Sequence, residues 1–255
     1  MRYREFKPQN EDLVEPQEKE RPVSKPMNLN KLGNWAEKDE FTGGVYARGT
    51  PDPKDPHMFR KKSKMPSKLD FDAYYQYVKY IKPYVDSNPF FPRVYEIILK
   101  KDPEGNVKPD YRVEKLMSLD DAEDKTGTNL SKFFTQKYFG GKFPEGVDSA
   151  VEAIQAAFTK DQYFDLITDK KLKQAITIIK QFLNTNFSLM GYNDFKLDVH
   201  RGNMMIRFGP GGPQLVFTDP VHDSGESIVG YNSYHGEWPV ENPFKFEPWD
   251  PLEKK

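Results

Sequence analysis

Apolar and polar positions alternate along the first half of the chain in short runs, a pattern typical of strands. The runs predict strands at residues 35–41, 45–48, 57–61, 93–99 and 111–114. Residues 49–56, which contain three prolines, predict a turn between the second and third of them. Residues 71–81 instead have helical spacing, with Asp70 or Asp72 as a cap; the shared face comprises Tyr74, Tyr77, Val78 and Ile81. This order favours a small antiparallel sheet that carries one helix.

Longer amphipathic helices are predicted in the second half of the chain, at residues 147–158 and 170–183. A two-stranded hairpin follows at residues 204–207 and 214–219, around a turn rich in glycine and proline. Residues 220–255 contain five prolines and no convincing helix. The whole pattern predicts an α+β fold.

Composition narrows the class of protein. The 255 residues include 38 basic and 39 acidic side chains, so the strongly basic surface of a nucleic-acid binder is not expected. There is no cysteine and there are only four histidines, which excludes disulfides and cysteine-ligated metals. No run approaches the roughly 18–20 apolar residues that span a bilayer, and the N-terminus does not resemble a signal peptide. We therefore expect a cytosolic protein that binds neither nucleic acid nor membrane.

The first 30 residues differ from the rest in composition. Residues 1–30 carry six basic side chains, six acidic side chains and four prolines, with few apolar positions. Such a segment buries too little apolar surface to offset the entropy lost on ordering. We interpret it as a flexible arm, and the alternative is a peptide that orders when it binds a partner.

The residue types around the predicted hairpin indicate phosphoryl transfer. Asp198 precedes Asn203 by five positions, and Asp219 follows Asn203 by sixteen. In phosphoryl transfer one carboxylate orients and deprotonates the attacking hydroxyl, while an amide oxygen and a second carboxylate hold Mg²⁺ on the nucleotide. Asp198 and Asn203 are therefore the candidate catalytic residues, and Asn203 and Asp219 the candidate metal ligands. Taken singly, each could be an ordinary turn former.

Residues 198–203, Asp-Val-His-Arg-Gly-Asn, resemble the Asp-x4-Asn catalytic loop of the protein-kinase-like superfamily. They are similar to the loop of aminoglycoside-phosphotransferase-like kinases. Together with residues 216–221, Val-Phe-Thr-Asp-Pro-Val, they look still more like the early serine/threonine kinases of short-tailed bacteriophages. The close resemblance covers about 25 residues, and a weaker one in layout covers residues 35–220. It implies ATP and Mg²⁺ as cofactors, host proteins as substrates or targets, and the host bacterial cytoplasm or the virion as location.

The resemblance also implies a bilobal kinase-like fold. Residues 31–116 would form an N-terminal lobe of antiparallel sheet with one helix, and residues 117–255 a mainly helical, truncated C-terminal lobe. Gly43 and Gly44 lie where kinases have a glycine-rich loop over the phosphates, although an ordinary hairpin turn has the same residue types.

The third strand of the sheet should carry a lysine that contacts phosphate. Lys61 is our choice, and Arg60 is the alternative because one step of register exchanges the two faces of a strand. Kinases pair this lysine with a glutamate on the following helix, but residues 71–81 contain no glutamate. Asp72 is the nearest substitute, with a shorter side chain.

The remaining site assignments also follow from the resemblance. Glu114 and Leu116 fall in the hinge between the lobes, where the backbone would hydrogen-bond adenine. His200 has a position that usually holds the catalytic loop together, so we assign it a structural role. Two departures from the family are Lys196, in place of a His or Tyr, and Pro220, in place of Phe after the metal-binding Asp.

Three functions stay open at this level. The first is an ATP- and Mg²⁺-dependent kinase acting on Ser/Thr hydroxyls of host proteins. The second is a pseudokinase, a kinase-like binding module that inhibits or tethers a host or viral protein. The third is a phosphotransferase acting on small molecules such as antibiotics.

Overall fold

The computed structural model describes residues 47–63, 72–103, 105–142, 144–190, 195–222 and 240–245. The arm of residues 1–30, the strand expected at residues 35–41, Gly43 and Gly44 lie outside these ranges. The strands of the described residues are β1 (Ala47–Asp52), β2 (Asp55–Ser63), β3 (Val94–Lys101), β4 (Val107–Glu114), β5 (Met117–Ser118), β6 (Lys196–Leu197), β7 (Met204–Gly209), β8 (Gly212–Phe217), β9 (Val221–His222) and β10 (Val240–Lys245). The α-helices are α1 (Ala73–Ile81), α2 (Leu119–Thr126), α3 (Leu130–Phe139), α4 (Ala150–Ala156), α5 (Asp161–Leu166) and α6 (Lys170–Met190).

Antiparallel sheets and helices together confirm the α+β prediction. The main sheet has five strands in the order β1-β2-β4-β3-β10, and every pairing in it is antiparallel. A second sheet has the order β5-β7-β8, and β6 pairs with β9 in a third. None of the helices in the described ranges is both long and apolar enough to cross a membrane.

The turn predicted between two strands at residues 49–56 is present but much shorter than expected. Strand β1 continues to Asp52, and only Pro53 and Lys54 turn the chain before β2 begins. Pro51 is tolerated because the pairing of β1 with β2 shifts register between Pro51 and Asp52, where no regular ladder bond is required. The Asp52 carboxylate closes the turn by accepting the N–H of Lys54 at 2.8 Å.

Strand β10 was not predicted, because its residues lie in a proline-rich stretch. It pairs with β3, and Pro243 lies between Glu241 and Phe244, where the register shifts. Proline fits at such an irregularity, since no regular ladder bond is required there. The late part of the chain thus returns to a sheet whose other strands come from residues 47–114.

Helix α1 lies close to its predicted bounds and is capped by Asp72, whose carboxylate accepts the N–H of Tyr75. Helix α6 extends beyond the predicted residue 183. Helices α2, α3 and α5 were not predicted. The first two nevertheless have a side-chain cap at the start and a left-handed glycine at the end, at Gly127 and Gly140.

Aromatic contacts join helices α1, α3 and α6 to strand β8. Phe90 contacts both Phe217 and Tyr138, with ring centroids 6.2 and 5.3 Å apart. Tyr77 of α1 contacts Phe182 of α6 and donates its hydroxyl to the carbonyl of Phe217 at 3.1 Å. Large rings therefore supply much of the buried surface in a chain of modest apolar content.

Candidate functional site

The hairpin of β7 and β8 brings Asn203 and Asp219 to one end. Asn203 directly precedes β7, and Asp219 follows β8 by two residues. The backbone N–H and the hydroxyl of Thr218 both donate to the carbonyl of Asn203, each at 3.0 Å. The two predicted metal ligands are thereby adjacent across the end of the hairpin.

Asp198 is held at the same place by the short pair of β6 and β9. Its N–H donates to the carbonyl of Pro220 at 2.8 Å, directly beside Asp219. The side-chain amide of Asn203 donates to the carbonyl of Asp198 at 2.8 Å and to its carboxylate at 2.9 Å. Both N–H bonds of that amide are thus used, and Oδ1 of Asn203 is the atom left to coordinate a cation.

His200 has the contacts of a residue that holds the loop. Its Nδ1 accepts the N–H of Gly202 at 3.0 Å, and Nε2 lies 3.6 Å from Oδ1 of Asp198. A Cβ on residue 202 would lie 2.9 Å from Cε1 of the imidazole, so a side chain there would require the exposed ring of His200 to shift.

An arginine in the same loop anchors it to α2. The guanidinium of Arg201 bonds the carboxylate of Asp120 at 2.5 Å and that of Glu123 at 3.3 Å. Both carboxylates lie in the helix that directly follows the predicted hinge. The loop is therefore fixed on one side by backbone bonds and on the other by an exposed ion pair.

Lys61 reaches this loop from the main sheet. Its Nζ lies 2.7 Å from Oδ2 of Asp219, although 158 positions separate the two residues. Arg60, the neighbouring residue of β2, instead bonds the carboxylate of Asp110. Successive side chains of a strand face opposite ways, so only Lys61 is on the side of Asp219.

Asp72 acts as a helix cap in the structure. Its carboxylate accepts the N–H of Tyr75 at 2.8 Å and lies 3.5 Å from the hydroxyl of Tyr111. Burial raises the pKa of Asp72, and the nearby charge of Lys61 opposes that rise. The carboxylate that bonds Lys61 directly is Asp219.

The two residues predicted for the hinge, Glu114 and Leu116, differ in their contacts. The carboxylate of Glu114 is buried and is bound by Arg207, by way of Nε at 2.8 Å and also Nη2, and by the N–H of Arg93. The side chain of Glu114 therefore has a structural role, as the hydrogen-bond acceptor of Arg207 and of the backbone N–H of Arg93. Leu116 lies between β4 and β5, and the N–H of Lys115 donates to the carbonyl of His57 at 3.0 Å. A backbone contact with adenine remains a prediction.

The donor atoms at the site suit Mg²⁺. Within the described ranges, no group of three or more His, Cys, Asp and Glu side chains is arranged to hold a metal ion. The predicted ligands are instead one amide oxygen, from Asn203, and one carboxylate, from Asp219. Mg²⁺ is commonly bound by one or two protein oxygens together with phosphate and water, so this small donor set fits it.

Two residues of this region escaped the sequence analysis. Tyr74, interpreted as part of a core face, has its ring centroid 3.3 Å from Nζ of Lys61. Arg207 occupies an ordinary strand position, and nothing in its local sequence indicates the buried bond to Glu114. The absence of a helix glutamate was the one signal that Lys61 needed another neighbour.

Comparison of the chain with protein-family models, with curated proteins and with solved structures found no match. Function therefore has to be inferred from the residues and the geometry of the site.

Proposed function

We propose that this protein is a kinase that uses ATP and Mg²⁺ to phosphorylate Ser and Thr hydroxyls of bacterial host proteins. The observation that carries the proposal is the contact between Lys61 and Asp219, whose Nζ and Oδ2 are 2.7 Å apart. The family resemblance implies a phosphate contact for Lys61, and the residue types and spacing make Asp219 a candidate metal ligand. Such groups belong side by side in a phosphoryl-transfer site.

Asp198 is proposed as the group that accepts the proton of the acceptor hydroxyl. Its side chain is 37% exposed, so a hydroxyl from a second protein could reach it. The amide of Asn203 donates to Oδ2 of this carboxylate at 2.9 Å, and Nε2 of His200 lies 3.6 Å from Oδ1. When bound, Mg²⁺ would neutralise charge on the nucleotide phosphates.

The same proposal includes a bilobal, kinase-like arrangement. The main sheet and α1 would form the lobe that carries Lys61. Helices α2 to α6 and the β7–β8 hairpin would form the lobe that carries the carboxylates. The connection near residues 114–116 would contact adenine through its backbone.

A pseudokinase is the second candidate, and the same ion pair favours it. Lys61 is paired with the predicted metal ligand, so it competes with a cation for the carboxylate of Asp219. The two candidates differ in the effect that Mg²⁺–ATP has on the unfolding temperature of the protein. Binding to the native state raises the unfolding temperature, whereas a module that binds no nucleotide shows no shift.

Transfer of labelled phosphate tests the proposal directly. Purified protein is incubated with γ-labelled ATP, Mg²⁺ and bacterial-cell lysate, and labelled proteins are analysed for phosphoserine and phosphothreonine. We expect labelling by the wild type and a fall of about a thousandfold for Asp198→Asn, because the base is lost. Asp86→Asn, which changes an exposed aspartate in a turn, is the matched control.

Three results would contradict the proposal. Equal labelling by wild type and Asp198→Asn would remove Asp198 from the chemistry. No rise in unfolding temperature at saturating Mg²⁺–ATP, together with no transfer, would support the pseudokinase. Transfer to aminoglycosides, but not to protein, would assign the chain to the small-molecule phosphotransferases.

A further inference from the structure

Lys61 has to be held in place without a helix glutamate. A free lysine side chain loses considerable rotamer freedom when it is fixed on a phosphate, so a neighbour that restrains it beforehand improves binding. Helix α1, with the sequence AYYQYVKYI, offers no acidic residue for this purpose. Asp72, just before it, bonds the helix's own backbone.

Tyr74 occupies the position next to the lysine. Its ring centroid lies 3.3 Å from Nζ of Lys61, well within the roughly 6 Å over which an ammonium group is attracted to an aromatic face. The same Nζ bonds Asp219. Lys61 is thus held between an aromatic ring of α1 and a carboxylate of the hairpin end.

The ring of Tyr74 is itself braced by the sheet. Tyr111 of β4 meets it edge to face, with centroids 4.8 Å apart and an angle of 84° between the rings. Tyr111 is also the cross-strand neighbour of Lys61 in the pairing of β2 with β4, and it is almost completely buried. The three side chains therefore form one packed unit, and the ring cannot turn away without disturbing the core.

The phenol of Tyr74 stays neutral. Burial raises its pKa well above the ordinary value of 10.0, and the negative charge of Asp219 raises it further. The contact with Lys61 is therefore between a cation and a neutral ring, and it does not consume the positive charge of the lysine.

We propose that Tyr74 is a positioning residue that holds Lys61 by a cation–π contact, in the role that an ion pair with a helix carboxylate fills in the kinases this chain resembles. The inference rests on the proposed function for its purpose, nucleotide binding. A neutral partner leaves the full charge of Lys61 to a phosphate once Asp219 binds the cation.

Fluorination of the ring separates this role from simple packing. Phenylalanine, 3,5-difluorophenylalanine and pentafluorophenylalanine are placed at position 74 of the full chain. Fluorine withdraws charge from the face of the ring and changes its shape little. The order parameter of the Lys61 ammonium group is measured by ¹⁵N NMR without nucleotide, and KM for Mg²⁺–ATP and kcat are measured for transfer.

We expect phenylalanine to keep the behaviour of tyrosine, since the hydroxyl is not needed. Along the series the order parameter of Lys61 should fall stepwise, and KM should rise by about threefold to thirtyfold at pentafluorophenylalanine, with a smaller change in kcat. The matched control is the same series at Tyr80, another tyrosine of α1, whose ring contacts Phe182 instead.

Two outcomes would overturn the inference. One is an order parameter that is the same for phenylalanine and pentafluorophenylalanine at position 74, and the other is an equal effect at position 80. The NMR measurement needs no nucleotide. If the wild type binds no ATP, the proposed function fails, while the order parameter still decides whether Tyr74 holds Lys61.

Discussion

The two sides of the candidate site are held together in different ways. On the hairpin side, Asp198, Asn203 and Asp219 lie within 22 positions of one another and are fixed by backbone and amide hydrogen bonds. On the sheet side, Lys61 and Tyr74 are placed by strand register and ring packing. Short-range hydrogen bonds fix the predicted base and metal ligands, whereas long-range packing fixes the predicted phosphate contact.

One buried cluster joins the two sides. Arg207 of the hairpin bonds the carboxylate of Glu114 and donates to the carbonyls of Pro89 and Phe91 at 2.7 and 3.0 Å. The same segment is bonded to β8 through the N–H of Phe217 and the carbonyl of Phe90. We therefore expect the distance between Lys61 and Asp219 to depend on the Arg207–Glu114 ion pair and on the hydrogen bonds of residues 89–91.

Removal of the Arg207–Glu114 ion pair should have the largest effect on the free energy of unfolding. Arg207→Met leaves the carboxylate of Glu114, only 7% exposed, without its main partner. Removal of one partner of such a pair costs about 3–5 kcal/mol of the free energy of unfolding. Urea unfolding measures it. Arg207→Met combined with Glu114→Leu should recover part of the loss, because no charge is left buried; a single variant within 1 kcal/mol of wild type would contradict the prediction.

On the hairpin side, the two carboxylates should separate binding from chemistry. Asp219→Asn removes negative charge from the cation site, so it should weaken binding of a non-hydrolysable ATP analogue at least about tenfold when Mg²⁺ is present. Asp198→Asn leaves the predicted ligands intact and should bind like wild type while transfer falls. Calorimetric titration with and without Mg²⁺ measures both. Wild-type affinity in Asp219→Asn would show that this carboxylate is not a metal ligand.

The hairpin side was largely accessible from sequence, and the sheet side was not. Asp198, Asn203 and Asp219 are linked by a short loop and a hairpin, whose geometry follows from local residue types. The neighbours of Lys61 depend on where α1 packs against the sheet, which no local pattern encodes. Pro51 and Pro243 suggested breaks in the chain, but both lie in strands where tertiary pairing tolerates them.

On the sheet side, Lys61→Met should weaken nucleotide binding by about tenfold to a hundredfold, the value of a hydrogen bond to a charged group. Lys62→Met makes the same change one position along β2, at an exposed side chain, and should leave binding unchanged. Calorimetric titration with the ATP analogue compares them. Equal losses in the two variants would point to a general charge effect rather than to a phosphate contact.

The smallest effect is expected at Asp72, where the sheet side meets the start of α1. Asn caps a helix about as well as Asp, so Asp72→Asn should change the free energy of unfolding by less than about 0.5 kcal/mol near pH 4. Burial raises the pKa of Asp72 above its ordinary value of 3.8, so the folded protein holds this proton more tightly than the unfolded chain. The contribution of the Asp72 carboxyl to the free energy of unfolding of the wild type is therefore lost as pH rises from about 4 through the folded-state pKa. Over that pH range the stability of Asp72→Asn should increase relative to that of the wild type. Urea unfolding at several pH values tests the sign, and nucleotide affinity in the variant should match wild type. A loss of affinity like that of Lys61→Met would mean that Asp72, rather than Tyr74 and Asp219, holds the lysine.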